Sequence, residues 1–251
     1  MAKTIIYNSA SASTVFDTDN IAVNESNGDR YVNDRDSSTI YKIDSNGAIT
    51  TFLAGYQWNV IRFIGGYLYA SKDLGGIYKI DPTVTISYSP SVIAGGNGSG
   101  SSSNQFASYS PNSVVVDSSG NLYVSDTNNH RVQKWAQGAT SGTTVAGGNG
   151  SGNNANQLSS PYGIVVDSSN NLFVADLSNN RIQKWASGAT SGTTVAGGNG
   201  SGSSANRLNA PLGIALDSSN NLYVADRNNH RIQKFASGST SSSNATTIAG
   251  G

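Results

Sequence analysis

The stretch Pro161-Tyr-Gly-Ile-Val-Val-Asp-Ser-Ser-Asn-Asn-Leu-Phe-Val-Ala-Asp-Leu-Ser-Asn-Asn-Arg-Ile-Gln-Lys-Trp185 decides the fold, because the chain contains it three times. It recurs with few changes 50 residues earlier, from Pro111 to Trp135, and 50 residues later, from Pro211 to Phe235. A fixed period of this length marks a solenoid, a propeller or an array. Within the unit, Ile164-Val-Val166 is an uninterrupted β-branched run of the kind found in strands buried on both faces. Leu172-Phe-Val-Ala175 and Arg181-Ile-Gln-Lys-Trp185 follow, separated by the turns Asp167–Asn171 and Asp176–Asn180. After a Gly/Ser/Thr loop, Thr193-Thr-Val-Ala196 is a fourth run. Helical spacing is absent, so the chain reads as all-β.

Working outward, two weaker copies precede the strong ones. Ile21–Val23, Arg30–Asn33, Thr39–Ile43 and Ile49–Ala54 form one four-strand set, and Val60–Ile64, Tyr67–Ala70, Ile77–Ile80 and Ser91–Ala94 form another. Four antiparallel strands make a small sheet that buries too little to stand alone. Radial repetition buries both faces of each such sheet and leaves only short edges. The expected fold is therefore a single β-propeller with five complete blades, at about residues 20–55, 56–96, 97–148, 149–198 and 199–251. Thr4–Tyr7 and Ser13–Phe16 read as extra strands within residues 1–19, and the alternative is a six-bladed ring in which that segment forms an incomplete or shared blade.

Composition narrows the function. Of 251 residues, 15 are basic and 15 acidic, for zero formal net charge, which argues against nucleic acid as the main partner. No cysteine is present, which removes disulfides, thiolate metal sites and Cys nucleophiles. No apolar run is long enough to span a membrane, and Met1–Ala10 lacks the apolar segment of a secretory signal, so the sequence assigns no compartment.

The residues then reach a family. Gly163–Asp167, Asn171–Asp176 and Asn180–Lys184 resemble the NHL repeat, and Asn129-His-Arg131 and Asn229-His-Arg231 resemble its Asn-His-Arg signature more closely still. The match is strong over 111–251 and degenerate over 20–96. The resemblance implies a β-propeller, usually six-bladed, and some members resemble metal-dependent lyases or sugar lactonases.

The candidate chemistry lies in the repeat itself. Asp126, Asp176 and Asp226 recur five residues before Arg131, Arg181 and Arg231, and a motif present in every strong blade reads as structural, each Asp capping its turn and pairing with its Arg. His130 and His230 are the only histidines; Asn180 holds the equivalent place between them, so a His-rich zinc centre or a His general base has little support. Asp17–Asn20 and Asp34–Asp36 are fragments of a calcium loop without its bidentate Glu. The loops Gly96–Gly100, Gly148–Gly152 and Gly198–Gly202 lack the Lys-Ser/Thr ending of a phosphate loop and read as flexible connections between blades. No catalytic residue, metal ligand or cofactor is assigned.

Comparison of the copies shows where they differ. The varied positions are Asn112/Tyr162/Leu212, Thr127/Leu177/Arg227, His130/Asn180/His230, Gln105/Gln157/Arg207 and Phe106/Leu158/Leu208, with a short insertion at Tyr109. In a four-stranded meander the second-to-third turn and the connection to the next blade lie at one end, so these positions share a rim. The opposite rim repeats Asp-Ser-Ser almost unchanged. Tyr109, Tyr162, Leu177, Leu212, Arg227, Arg207, His130 and His230 are the candidate contacts for a protein or glycan partner. The alternatives are a metal-dependent lyase or lactonase, and a structural component of a virion or surface assembly, with oligomers forming through an open blade edge.

Overall fold

The computed structural model describes residues 4–7, 13–16, 18–34, 36–55, 57–72, 75–84 and 90–251. The chain is an all-β propeller of five four-stranded antiparallel blades. Strands β1 (Thr4–Tyr7) and β2 (Ser13–Phe16) pair only with each other, as a separate two-stranded sheet outside every blade. Five blades, not six, are therefore complete among the described residues.

Contacts divide the chain into two compact units. The first runs from Met1 to Pro111 and includes Ala139–Ser141; the second takes in Asn112–Gly138 and Gly142–Gly251. In the first unit, blade I is β3 (Thr18–Val23), β4 (Arg30–Asp34), β5 (Thr39–Ile43) and β6 (Ile49–Ala54). Blade II is β7 (Trp58–Ile64), β8 (Tyr67–Lys72), β9 (Gly76–Ile80) and β10 (Ser91–Gly95). Ala22, Tyr31 and Ile40 of blade I pack against Trp58, Ile61, Leu68 and Ala70 of blade II.

The second unit holds the three strong repeats. Blade III is β11 (Val114–Val116), β12 (Leu122–Asp126), β13 (Arg131–Trp135) and β14 (Thr143–Gly147). Blade IV is β15 (Pro161–Val166), β16 (Leu172–Asp176), β17 (Arg181–Trp185) and β18 (Thr193–Gly197). Blade V is β19 (Pro211–Leu216), β20 (Leu222–Asp226), β21 (Arg231–Phe235) and β22 (Thr246–Gly250).

Each blade has two unlike faces, set by the alternation of side chains along its strands. Ile164, Leu172, Val174 and Trp185 form the entry face of blade IV and pack on Tyr123, Val132 and Ala146, the exit face of blade III. The exit face of blade IV, Phe173, Ala175, Ile182 and Ala196, packs in turn on Leu222, Val224 and Phe235 of blade V. The inner strands come close: a Cβ placed on Gly163 would strike the Leu212 carbonyl and lie 3.2 Å from the Gly213 Cα.

The first turn of each strong blade explains the unchanged Asp-Ser-Ser. Asp167 Oδ1 accepts hydrogen bonds from the backbone N–H groups of Ser169 and Asn171, both at 2.9 Å, and Asp117 and Asp217 repeat this arrangement. The Asn221 side chain and backbone N–H hold the Asp217 carboxyl below the ordinary aspartate range. An Asx turn that is made identically three times leaves no room for variation.

Candidate functional site

The second turn of each strong blade is a single 3-10 turn, at Thr127–Asn129, Leu177–Asn179 and Arg227–Asn229. It closes on a left-handed residue, His130, Asn180 or His230, with φ of 52°, 54° and 53°. Asn and His tolerate this region better than most residues, so the position admits that pair.

The Asp-Arg signature sits where this turn meets the connection entering the blade. In blade IV, Asp176 is fully buried; its carboxylate accepts from Arg181 Nε (2.7 Å), Asn179 Nδ2 (2.8 Å) and the Ser159 N–H (2.7 Å). The Arg181 guanidinium also donates to the carbonyls of Asn153, Asn154 and Gln157, at 2.8, 3.2 and 3.1 Å. Blade V repeats the set with Asp226, Arg231, Asn229 and Asn209. Blade III keeps the Asp126–Arg131 pair at 2.8 Å. The expectation that each Asp caps its own turn needs correction for these blades: none makes a side-chain cap there. In blades IV and V the backbone amide bound by the carboxylate belongs to the preceding connection. Blade I differs, since Asp34 Oδ1 accepts the Asp36 N–H at 3.2 Å and Thr39 stands where the Arg would be. Burial lifts the Asp176 carboxyl above its ordinary range against the opposing pull of Asn179, Ser159 and Arg181.

The Gly-rich connections are bonded structures rather than flexible links. Asn149 Nδ2 donates to the Gly147 and Asn156 carbonyls, Gln157 Nε2 to the Asn149 carbonyl, and Asn179 Nδ2 to the Gly152 carbonyl. The connection ends in an apolar plug: Leu158, Leu208 and Phe106 are wholly buried. Leu158 Cδ1 lies 2.9 Å from where a Cβ on Gly147 would stand. These three varied positions thus belong to the core. Their Phe/Leu exchange is a change of packing, and its sequence signal was that all three are apolar.

His130 has a similar explanation. Its Nδ1 accepts the Ser160 N–H at 3.1 Å, and Asn180 Oδ1 accepts the Ala210 N–H at 2.9 Å. Both side chains offer one acceptor at the same reach, which latches one blade to the start of the next. His130→Asn is expected to leave stability within about 0.5 kcal/mol, while His130→Ala loses about 1–2 kcal/mol with the bond and the left-handed preference. Urea unfolding of the two variants measures the difference; equal losses would remove the latch.

The remaining varied residues are at one end of the blades of the second unit. Pro161 pairs with Asp176 and Pro211 with Asp226, which puts Tyr162 and Leu212 beside the turns that carry Leu177 and Arg227. The Ser178 N–H donates to the Ser159 carbonyl and the Asn228 N–H to the Asn209 carbonyl, both at 3.1 Å, tying turn to connection. In blade III, the varied pair Asn112 and Thr127 are directly bonded at 2.9 Å. Arg207, Arg227 and His230 are exposed; Tyr162, Leu177 and Leu212 are half-buried. Tyr109, in the first unit, is 71% exposed, with φ of 56°. Among the described residues, no group of three or more His, Cys, Asp or Glu side chains is placed to hold a metal ion.

Three NHL repeats match within the chain, at residues 109–135, 158–185 and 208–235. No curated protein sequence matches it. Among solved structures it is similar to a gluconolactonase from Xanthomonas campestris, with a TM-score of 0.66 and 13% identity over 99% of this chain and 84% of that one. It is also similar to an auxiliary nutrient binding protein from Bacteroides thetaiotaomicron (0.64, 21% identity, 82% of this chain and 56% of that one). A third similarity is to virginiamycin B lyase from Staphylococcus aureus (0.59, 12% identity, 98% and 76%). Likeness at these identities shows the fold, and the fold here serves both enzymes and binding proteins. The three matched repeats, each spanning the first three strands of one blade, together with the five four-stranded blades, support an NHL-repeat β-propeller family for this chain.

Proposed function

We propose that the chain is a non-catalytic binding propeller that engages a protein or glycan partner through the varied end of its blades. One observation carries this reading. The exposed or half-exposed exchanges that bring in large aromatic, aliphatic or Arg side chains lie at one end, Tyr162 and Leu177 on blade IV and Leu212 and Arg227 on blade V, whereas the opposite end differs by small polar exchanges such as Gln137/Ser187/Ser237 and by a longer Ser/Thr/Asn loop in blade V. The other end repeats its Asp-Ser-Ser turn through bonds that fix its sequence. Side chains held on the strands β15 and β19 (Tyr162, Leu212) and on turns bonded to the neighbouring connection (Leu177, Arg227) supply anchoring area at low entropic cost.

The test compares the full chain with Tyr162→Ala/Arg227→Ala on printed glycan and protein arrays. A reproducible set of ligands whose signal drops about tenfold or more in the variant is expected, an effect of about 1.4 kcal/mol. Thermal stability should be unchanged, since neither side chain is fully buried. Ligands retained at full strength by the variant would count against the reading.

A further inference from the structure

The seams on either side of blade IV lie within the second unit and use almost the same residues, yet their outer edges differ. Between blades III and IV, along the outer strand β14, there is an open cleft of about 910 Å³. Thr144, Asn149, Asn156, Thr190 and Ser191 line it and are exposed. Between blades IV and V, Phe173, Lys184, Val195, Leu222 and Phe235 stand where Tyr123, Lys134, Val145, Leu172 and Trp185 stand in the first seam. The cavity they line holds only about 90 Å³.

The difference comes from one loop. Blade IV joins its last two strands with Ala186–Gly192, and blade V joins its own with Ala236–Ala245, which is longer by Ser-Ser-Asn. Both loops are tied at the same point. The Gly192 N–H donates to the Ala155 carbonyl at 2.8 Å, and the Ala245 N–H to the Ala205 carbonyl at 2.9 Å. The extra residues of blade V therefore have to fold inside that tie. They form a turn: the Ser243 N–H donates to the Thr240 carbonyl at 3.0 Å, and the Thr240 N–H to the Ser243 hydroxyl at 2.9 Å. Asn199 Nδ2 donates to the Ser241 carbonyl and holds the turn against the connection. The second seam is thus filled by a segment of the chain itself. In the first seam the equivalent Asn149 Nδ2 donates to the Gly147 carbonyl at 3.3 Å, a long bond that a closer carbonyl can replace.

The chemistry of the cleft narrows its occupant. Its volume falls within the roughly 300–1,000 Å³ usual for ligand pockets. The charged residue of its lining, Lys134, is already held 3.5 Å from Asp117 and over the Tyr123 ring, so the site does not call for an ionic ligand. Its two aromatic rings are covered: Tyr123 is 4% exposed and Trp185 2%, the latter with Gly192 laid against the indole. That leaves no open aromatic face for a sugar ring. The exposed lining is small, uncharged and rich in hydroxyls and amides, as is the Thr240–Ser243 turn seated one seam along. We infer that the cleft between blades III and IV docks a short Ser/Thr/Asn turn of another polypeptide chain, seated with a backbone carbonyl on Asn149. None of Tyr162, Leu177, Leu212 and Arg227 lines the cleft, so this site does not rest on the reading given above.

The test is an NMR titration of the isotope-labelled full chain with a peptide of the sequence of residues 238–245, cyclised head to tail to hold the turn. Saturable amide shifts are expected at Thr144, Asn149, Asn156 and Ser191, with one peptide bound per chain. Inserting Ser-Ser-Asn after Ser191 gives blade IV the longer loop and should weaken binding at least about tenfold without lowering the melting temperature. Deleting Ser242–Asn244 gives blade V the shorter loop and should open a second site, with new shifts at Asn199 and Asn206 and two peptides per chain. Tyr162→Ala/Arg227→Ala should bind the peptide as the wild type does, which separates this site from the varied end; loss of the peptide there would overturn the proposal. No saturable shift at the cleft in the wild type also overturns it, as does an insertion that leaves the affinity unchanged or a deletion that leaves one peptide per chain. So does maltotriose, a neutral saccharide, if it moves the cleft amides and the peptide does not.

Discussion

Asp176→Ala is expected to destabilise the protein by about 3–5 kcal/mol, the largest loss for any single polar residue discussed. The carboxylate is wholly buried and receives three donors, one of them the Arg181 guanidinium. Removing it leaves a buried cation without its counter-charge, together with the freed Ser159 N–H at the entrance to blade IV. For a chain of this length, a loss of that size lowers the melting temperature by roughly 10 °C. The comparison that isolates the cause is Asp34→Ala in blade I, where Thr39 replaces the Arg and the carboxylate bonds the Asp36 N–H and the Ser37 hydroxyl. That variant should lose only about 1 kcal/mol, because no guanidinium is stranded. Equal losses from the two substitutions, measured by urea unfolding, would mean that the buried cation is not the source.

Gly197→Ala is expected to cost at least about 3 kcal/mol, through two effects at one atom. Gly197 has φ of 66°, a region where a Cβ is disfavoured by about 1 kcal/mol or more. The added methyl would also strike the Asn180 carbonyl, which is backbone and cannot swing aside, and would lie 3.0 Å from Cδ1 of the Leu208 plug. Gly188→Ala separates the two effects. Its φ is 77°, but nothing lies within 4 Å of the new Cβ, so only the conformational part remains, about 1 kcal/mol. Thermal unfolding of both variants gives the steric part by difference; a Gly197→Ala loss no larger than that of Gly188→Ala would show that the Asn180 turn and the Leu208 plug both give way at no cost.

Most of the architecture was legible in the sequence because a propeller states its fold repeatedly. The period and the four strands of each strong blade follow from Pro111, Pro161 and Pro211 and from the alternation between them. Residues whose role depends on a neighbouring blade were harder to read. Leu158 looks like one varied loop residue until it is seen seated on Gly147 and Val132 of the blade before it. The exchange of His130 for Asn180 looks like a difference in chemistry until both prove to accept a backbone N–H thirty residues on. The asparagines and Gln157 in the Gly-rich connections suggested flexibility by composition, yet they bond carbonyls of the same connection. Pattern within a blade is local and visible; the partner of a side chain across a seam is set by three-dimensional register. The candidate contacts Tyr162, Leu177, Leu212 and Arg227 were found by comparison of copies, which needs no knowledge of the seam.

The connection 148–160 belongs to two blades at once: Leu158 is set into blade III, while Arg181 of blade IV holds the carbonyls of Asn153, Asn154 and Gln157. The connection 198–210 is gripped alike, by Leu208 below and Arg231 above. The seams are therefore interchangeable parts. Excising residues 161–210 would join Ser160 to Pro211 and bring Arg231 to the carbonyls that Arg181 now holds, with the His130 latch and the Leu158 plug untouched. A gene built this way can gain or lose a blade by unequal recombination between its own repeats without having to evolve a new interface. The near-identity of the three C-terminal copies is what recent expansion by that route would leave behind.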